Sequence, residues 1–127
     1  MLINKKMIMR VMKKAYSRAA EDDEIKENLA YREIIFSWNI EDIQFWFTVK
    51  MGNGKIIVTD GQSENSDITF YNRKAEEFHR ANIGELTGRD ISDTNGFRWT
   101  GSMKYLRHVS QLCKVMRVYY KQFAPRT

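Results

Sequence analysis

The sequence predicts an α+β fold, and three observations point to it. Segments 32–40 and 43–51 alternate large apolar residues with other residues at a period of two. Asn53-Gly54, the strongest hairpin signal in the chain, leads into a third segment of the same kind. Amphipathic helical patterns stand near both ends, over 3–20 and 103–123.

Ile3, Met7, Ile8, Val11, Met12, Ala15, Tyr16 and Ala19 recur at helical spacing, with the basic residues mostly between them. The acidic run Glu21-Asp22-Asp23-Glu24 suits the N-terminus of a short second helix, Asp23 to Leu29, better than the end of the first. In the strands, Ile34, Phe36, Trp38 and Ile40 share a face, as do Ile43, Phe45, Phe47, Val49 and Met51. With Glu41-Asp42 as a two-residue turn, Ile40 faces Ile43, Trp38 faces Phe45, Phe36 faces Phe47 and Ile34 faces Val49. Asn53-Gly54 then sets Met51 against Ile56 and Val49 against Val58. The opposite face, with Ser37, Trp46, Thr48 and Lys50, reads as solvated. A fourth strand follows at Asp67 to Tyr71, and Asn72 caps a helix from Arg73 to about Ala81. Thr87 and Asp90 have capping-box spacing for a short helix around Ile91. A fifth strand, Phe97 to Thr100, precedes Ser102, which caps the long last helix, and Pro125 lies just past its end.

A length of 127 residues fits a single domain over 1–127, with the N-terminal helix at 3–20 and the sheet and helices at 32–123. Aromatics at 13% supply a core without staples, which excludes a disordered chain. A lone cysteine, Cys113, cannot form an internal disulfide. The first residues lack a secretory core segment, and Pro125-Arg126-Thr127 is not a peroxisomal address. The expected location is cytoplasmic. Charge is segregated: residues 1–20 carry +6, residues 21–97 carry −8 and residues 98–127 carry +7, for a net +5. Attraction between the ends and the middle explains this within one fold. A basic face for anionic lipid or nucleic acid is the alternative.

The order of elements and three stretches resemble the sterol carrier protein type-2 domain. The first stretch is the meander Phe45-Trp46-Phe47-Thr48-Val49-Lys50-Met51-Gly52-Asn53-Gly54-Lys55-Ile56-Ile57-Val58. The second is Ser66-Asp67-Ile68-Thr69-Phe70, and the third joins Ile83-Gly84-Glu85-Leu86 to Gly96-Phe97-Arg98-Trp99-Thr100-Gly101. The resemblance covers residues 32–116. The chain departs from the family in a strand one residue shorter after Gly96, in Thr87-Gly88 where a proline is usual, and in Trp99 where a smaller aliphatic is usual. The resemblance implies a five-stranded, mostly antiparallel sheet with helices packed on one face and an apolar tunnel between the layers. Family members bind sterols, fatty acids, acyl-CoAs or phospholipids, serve as accessory domains of larger enzymes, or have no known ligand.

The function expected on that resemblance is non-enzymatic binding or transfer of an apolar ligand, without a cofactor. The expected wall takes Phe36, Trp38, Phe45 and Phe47 from the meander, and Phe70, Phe97 and Trp99 from the later strands. Phe78, Ile83 and Leu86 come from the middle of the chain, and Met103, Leu106, Leu112 and Met116 from the last helix. The residues alone fit a packed core as readily as a cavity wall. A ligand-free interaction domain with a filled core, dimeric or not, is therefore the alternative. A hydrophobic small molecule or lipid is the expected partner, with an anionic membrane surface reached through the basic terminal helices. Nucleic acid is not expected, because no recognition-helix or aromatic RNA-binding signature accompanies the charge. The state expected is monomer or homodimer.

Catalytic and metal motifs find little support. His79 and His108 stand singly on helices and are expected to be solvated or capped. Glu76 and His79 have Glu-x-x-His spacing but no second copy. Cys113 sits in an apolar stripe, which favours an inert thiol. In the loop around Gly96, Ile91 and Ser102 stand at the end positions of a calcium loop and cannot ligate as required.

Overall fold

The structure is a computed structural model that describes residues 3–29 and 33–125. Helix α1 (Lys5–Ala19) starts at Asn4, whose Oδ1 accepts from the Met7 N–H at 2.9 Å. Helix α2 (Asp23–Leu29) follows with Asp23 and Glu24 in its first turn. Strands β1 (Ile34–Ile40), β2 (Phe45–Gly52) and β3 (Lys55–Asp60) form an antiparallel meander. Strand β4 (Ile68–Asn72), helices α3 (Ala75–Asn82) and α4 (Gly88–Ser92), strand β5 (Phe97–Gly101) and helix α5 (Met103–Phe123) complete the order. The five strands lie as β3-β2-β1-β4-β5. The β1–β4 pair is parallel and the other three are antiparallel, so the sheet is mixed.

The β2–β3 hairpin has the expected register, Met51 against Ile56 and Val49 against Val58. Its turn needs left-handed backbone at both central positions, and Asn53 (φ 52°) and Gly54 (φ 74°) supply it. The β1–β2 register departs from expectation by two residues: Ile40 faces Phe45, Trp38 faces Phe47, Phe36 faces Val49 and Ile34 faces Met51. Glu41–Ile43 form one 3₁₀ turn and Gln44 is left-handed at φ 49°, so the connection takes four residues instead of two. A shift of two keeps every side chain on its face, which is why the pattern could not detect it.

Two further corrections concern the loops. Asn72 ends β4 and does not cap α3; the α3 N-terminus is satisfied by Asp42 Oδ1, which accepts from the Ala75 N–H at 3.0 Å. Ser37 and Thr48, read as solvated, are buried on the outer face. The 61–66 loop covers them: Thr48 Oγ1 donates to the Gly61 carbonyl at 2.7 Å, and Ser37 Oγ bonds both Thr48 and Ser66.

On the inner face, α1 lays Ile8, Val11, Met12, Ala15 and Tyr16 into the core. Val109, Leu112, Met116 and Tyr120 of α5 meet them there. Asp67 fixes the entrance to β4: its backbone N–H donates to the Ile35 carbonyl at 2.7 Å, and its Oδ2 accepts from the Ile35 N–H at 2.9 Å. Gly101 sits directly against it with φ 125°, where an added Cβ would lie 2.3 Å from the Asp67 carbonyl oxygen and 2.8 Å from Ile68 Cα. Both obstacles are backbone, so neither can swing aside. We therefore expect Gly101→Ala to lower unfolding free energy by about 2–4 kcal/mol in urea titration, with an unchanged midpoint refuting the account.

Candidate functional site

The helix-facing side of the sheet is filled over one half and hollow over the other. The hollow half is a half-open cavity of about 670 Å³. Trp38, Phe70 and Phe97 make its floor. The Trp38 indole stacks on Phe70 at 4.5 Å between centroids, and Phe97 stacks on Phe70 at 6.0 Å. Phe78 meets Trp38 edge-on at 5.3 Å. One side wall runs along α3 and beyond it through Ala81, Asn82, Ile83 and Leu86, to Thr87 and Ile91 at α4. The other wall is the flank of α5, with Ser110, Cys113, Lys114, Arg117, Val118 and Lys121.

The Cys113 thiol is buried and sits 3.8 Å from the Tyr16 hydroxyl. Burial pushes the thiol up to about 11, against smaller opposing effects of the Tyr16 hydrogen bond and the Arg117 charge. Burial, with Cys113 beside it, also holds the Tyr16 hydroxyl well above its ordinary value. Two buried polar atoms on the cavity wall, Trp38 Nε1 and Asn72 Oδ1, have no hydrogen-bond partner among the described residues.

Of the residues expected to form the wall, Trp38, Phe70, Phe78, Ile83, Leu86 and Phe97 line this cavity. Phe36, Phe45, Phe47, Leu112 and Met116 lie instead in the solid core. Phe36 meets Tyr16 of α1 edge-on at 6.2 Å, and Phe47 meets Phe78 of α3 at 6.2 Å. Trp99 and Leu106 are half-buried at the core's fringe. Met103 is 71% exposed at the start of α5 and does not line this cavity. The polar flank of α5 was missed. Its signal is the spacing of Ser110, Lys114, Arg117 and Lys121 beside the buried stripe, but nothing in the chain says which flank meets the hollow half.

His79 differs from expectation: it is buried at 1% exposure, its Nδ1 lies 2.8 Å from the Tyr120 hydroxyl, and its Nε2 has no hydrogen-bond partner among the described residues. Glu76 on the same helix is exposed, so this Glu-x-x-His pair does not converge. His108 is exposed on α5. Among the described residues no group of three or more histidine, cysteine or acidic side chains could hold a metal ion. None of the described helices is long and apolar enough to cross a membrane.

No protein-family profile matches the sequence, and no curated protein matches it. Solved structures do. The sterol carrier protein domain 2 of Helicoverpa armigera superposes with a TM-score of 0.70 at 18% identity, over 88% of this chain and 89% of that one. The palmitated sterol carrier protein 2-like 2 of Aedes aegypti gives 0.59 at 18% identity, over 84% and 90%. The inverting sec-alkylsulfatase of a Pseudomonas species gives 0.56 at 11% identity; 80% of this chain spans only 14% of that enzyme. These likenesses place the chain among small α+β domains with a five-stranded sheet and one helix-covered face. In particular, this chain has the sterol carrier protein type-2 fold.

Two predictions follow from the buried groups. Burial lowers the His79 pKa from its ordinary 6.5, with the Glu85 carboxylate opposing it. The unfolded chain then binds the proton first, so His79's contribution to stability is complete above pH 6.5 and is lost as pH falls toward the lower folded value. Urea midpoints should drop through that window, and His79→Gln should flatten the drop. Cys113 should react with a thiol-specific disulfide reagent at pH 8 at least about tenfold more slowly than the same thiol in denaturant. Equal rates would contradict its burial.

Proposed function

We propose that residues 1–127 act as a carrier domain that holds a lipid or other hydrophobic small molecule in the half-open cavity and performs no chemistry on it. The observation that carries this reading is the cavity itself: about 670 Å³ over a floor of Trp38, Phe70 and Phe97. That volume lies in the range of ligand pockets and far above ordinary packing voids. Each methylene withdrawn from water into such a space contributes about 0.8 kcal/mol, so affinity for an acyl chain or a sterol needs no reactive group. The side chains beside the space also support passive binding, since Cys113 is held as a thiol and His79 of α3 is turned to Tyr120 and does not line the cavity. The fold neighbours named as sterol carrier proteins, one of them solved in a palmitated form, support a lipid cargo.

Native mass spectrometry of the purified chain, with and without added fluorescent fatty acid, tests this. We expect a bound lipid or saturable probe binding at one site per chain. Ala81 is half-buried on α3 and lines the cavity. Ala81→Trp should fill the space, weakening probe binding by about tenfold while changing stability by less than about 1 kcal/mol. Absence of any probe binding and of any co-purified lipid would overturn the reading.

A further inference from the structure

Helix α3 is pinned at one end and turns away at the other. Asp42 Oδ1 accepts from the Ala75 N–H at 3.0 Å, and Arg73 holds Glu77 in the first turn. The C-terminal end runs into Gly84, whose φ of 86° breaks the helical path. Between these ends Phe78, Ala81 and Asn82 line the cavity, while His79 is turned to α5. Phe78 meets the Tyr120 ring edge-on at 6.5 Å, and His79 Nδ1 lies 2.8 Å from the Tyr120 hydroxyl. One tyrosine of α5 therefore grips the half of α3 that forms a cavity wall.

The second imidazole nitrogen is the weak point of this grip. His79 Nε2 is buried and has no hydrogen-bond partner among the described residues. A neutral ring can sit there, because Nδ1 has its partner and no charge is buried. A protonated ring carries N–H donors on both nitrogens, and the one at Nε2 would be a buried, charged donor facing no acceptor. The ionisable groups that face the ring are Tyr120 from α5 and Glu85 from the segment after α3. Burial raises the Tyr120 hydroxyl, so it stays neutral and offers no counter-charge. The Glu85 carboxylate favours the charged ring from outside, where it is exposed. On α3 itself Glu77 is held by Arg73, Arg80 is held by Glu85 at 3.2 Å, and Glu76 is exposed.

From this we infer that the His79–Tyr120 contact is a proton-operated clasp: protonation of His79 frees the C-terminal half of α3 from α5, that wall swings about its Asp42 pin, and the cavity opens to discharge its contents. The imidazolium leaves the core toward Glu85. This rests on the carrier reading above and adds to it a condition for release, a fall in pH. Linkage bounds its size: with the ordinary 6.5 in the open state and a lower value in the closed one, acidification from pH 7.5 to 5.0 favours opening by at most about thirtyfold.

The test uses the full chain loaded with diphenylhexatriene, an apolar fluorescent probe with no ionisable group, and the variants H79Q and H108Q. Glutamine can bond the Tyr120 hydroxyl but does not titrate, and His108, exposed on α5, is the control. Release into a cyclodextrin trap is timed from pH 7.5 to 5.0 at constant ionic strength, and circular dichroism follows the global fold. Hydrogen exchange of the ligand-free chain, corrected for its intrinsic pH dependence, reports α3. We expect release from the unaltered protein and from H108Q to quicken about ten- to thirtyfold with the fold retained, and the amides of Phe78–Asn82 to lose protection by the same factor. H79Q should show neither change. Release and protection that ignore pH in the unaltered protein overturn the clasp and leave the carrier reading standing. Quickening that survives in H79Q, or that tracks loss of circular dichroism, also overturns it. If H79Q does not fold, the His79 ring titration followed by NMR in the unaltered chain decides, and a midpoint at or above 6.5 overturns the clasp. Absence of probe binding at every pH overturns the carrier reading, and the exchange of α3 then tests the clasp by itself.

Discussion

The structure depends on one cross-strand row of aromatic rings held in register. Phe47, Trp38, Phe70 and Trp99 lie side by side on β2, β1, β4 and β5, each directly opposite the next. Facing side chains are the unit in which sheets are stabilised, and aromatic pairs are among the stronger ones. A slip of one residue in any pair would turn half the row to the outer face, which over Ser37 and Thr48 is covered by the 61–66 loop and its hydroxyl network. Register, face and layer are thus one decision. The Asp67–Ile35 backbone pairing and the close seat of Gly101 against Asp67 hold β4 and β5 to that decision.

What lies over the row differs along its length. On one side the helix layer sets Tyr16 edge-on against Phe36, within a solid core that also holds Phe47, Met12 and Ile8. Over β4 and β5 the cover comes from α5 and from the short segment between α3 and α4. That segment is built around Gly84, at φ 86°, and together with α4 inserts Ile83, Leu86 and Ile91 as apolar groups. Three modest side chains cannot fill the area an α1-sized helix covers, so a hollow remains between rigid walls. The aromatic floor is therefore exposed to whatever enters, and the α5 flank contributes the charge.

Much of this was legible in the chain. Alternation gave the inner face of every strand, Asn53-Gly54 gave its hairpin, and Thr87 with Asp90 gave a capping box that the structure contains in full. The β1–β2 turn was not legible, because a shift of two residues leaves a period-two pattern unchanged. The α3 cap was not legible either, because Asp42 supplies it from 33 residues away in the chain. For the cavity, the pattern told which side chains face the helices but not how deep the helices press. Phe36 and Phe70 carry identical signals, yet only Phe70 meets the hollow. His79 likewise carries no mark of its burial against Tyr120, which lies 41 residues on.

The order in which the walls appear along the chain has a biosynthetic consequence. The floor is complete once β5 has been made, whereas the flank bearing Lys114, Arg117 and Lys121 belongs to α5, the last helix described. A nascent chain whose β5 has emerged therefore carries Trp38, Phe70 and Phe97 with one wall missing. Until α5 has emerged and docked, the aromatic floor is open to chaperones and to neighbouring nascent chains.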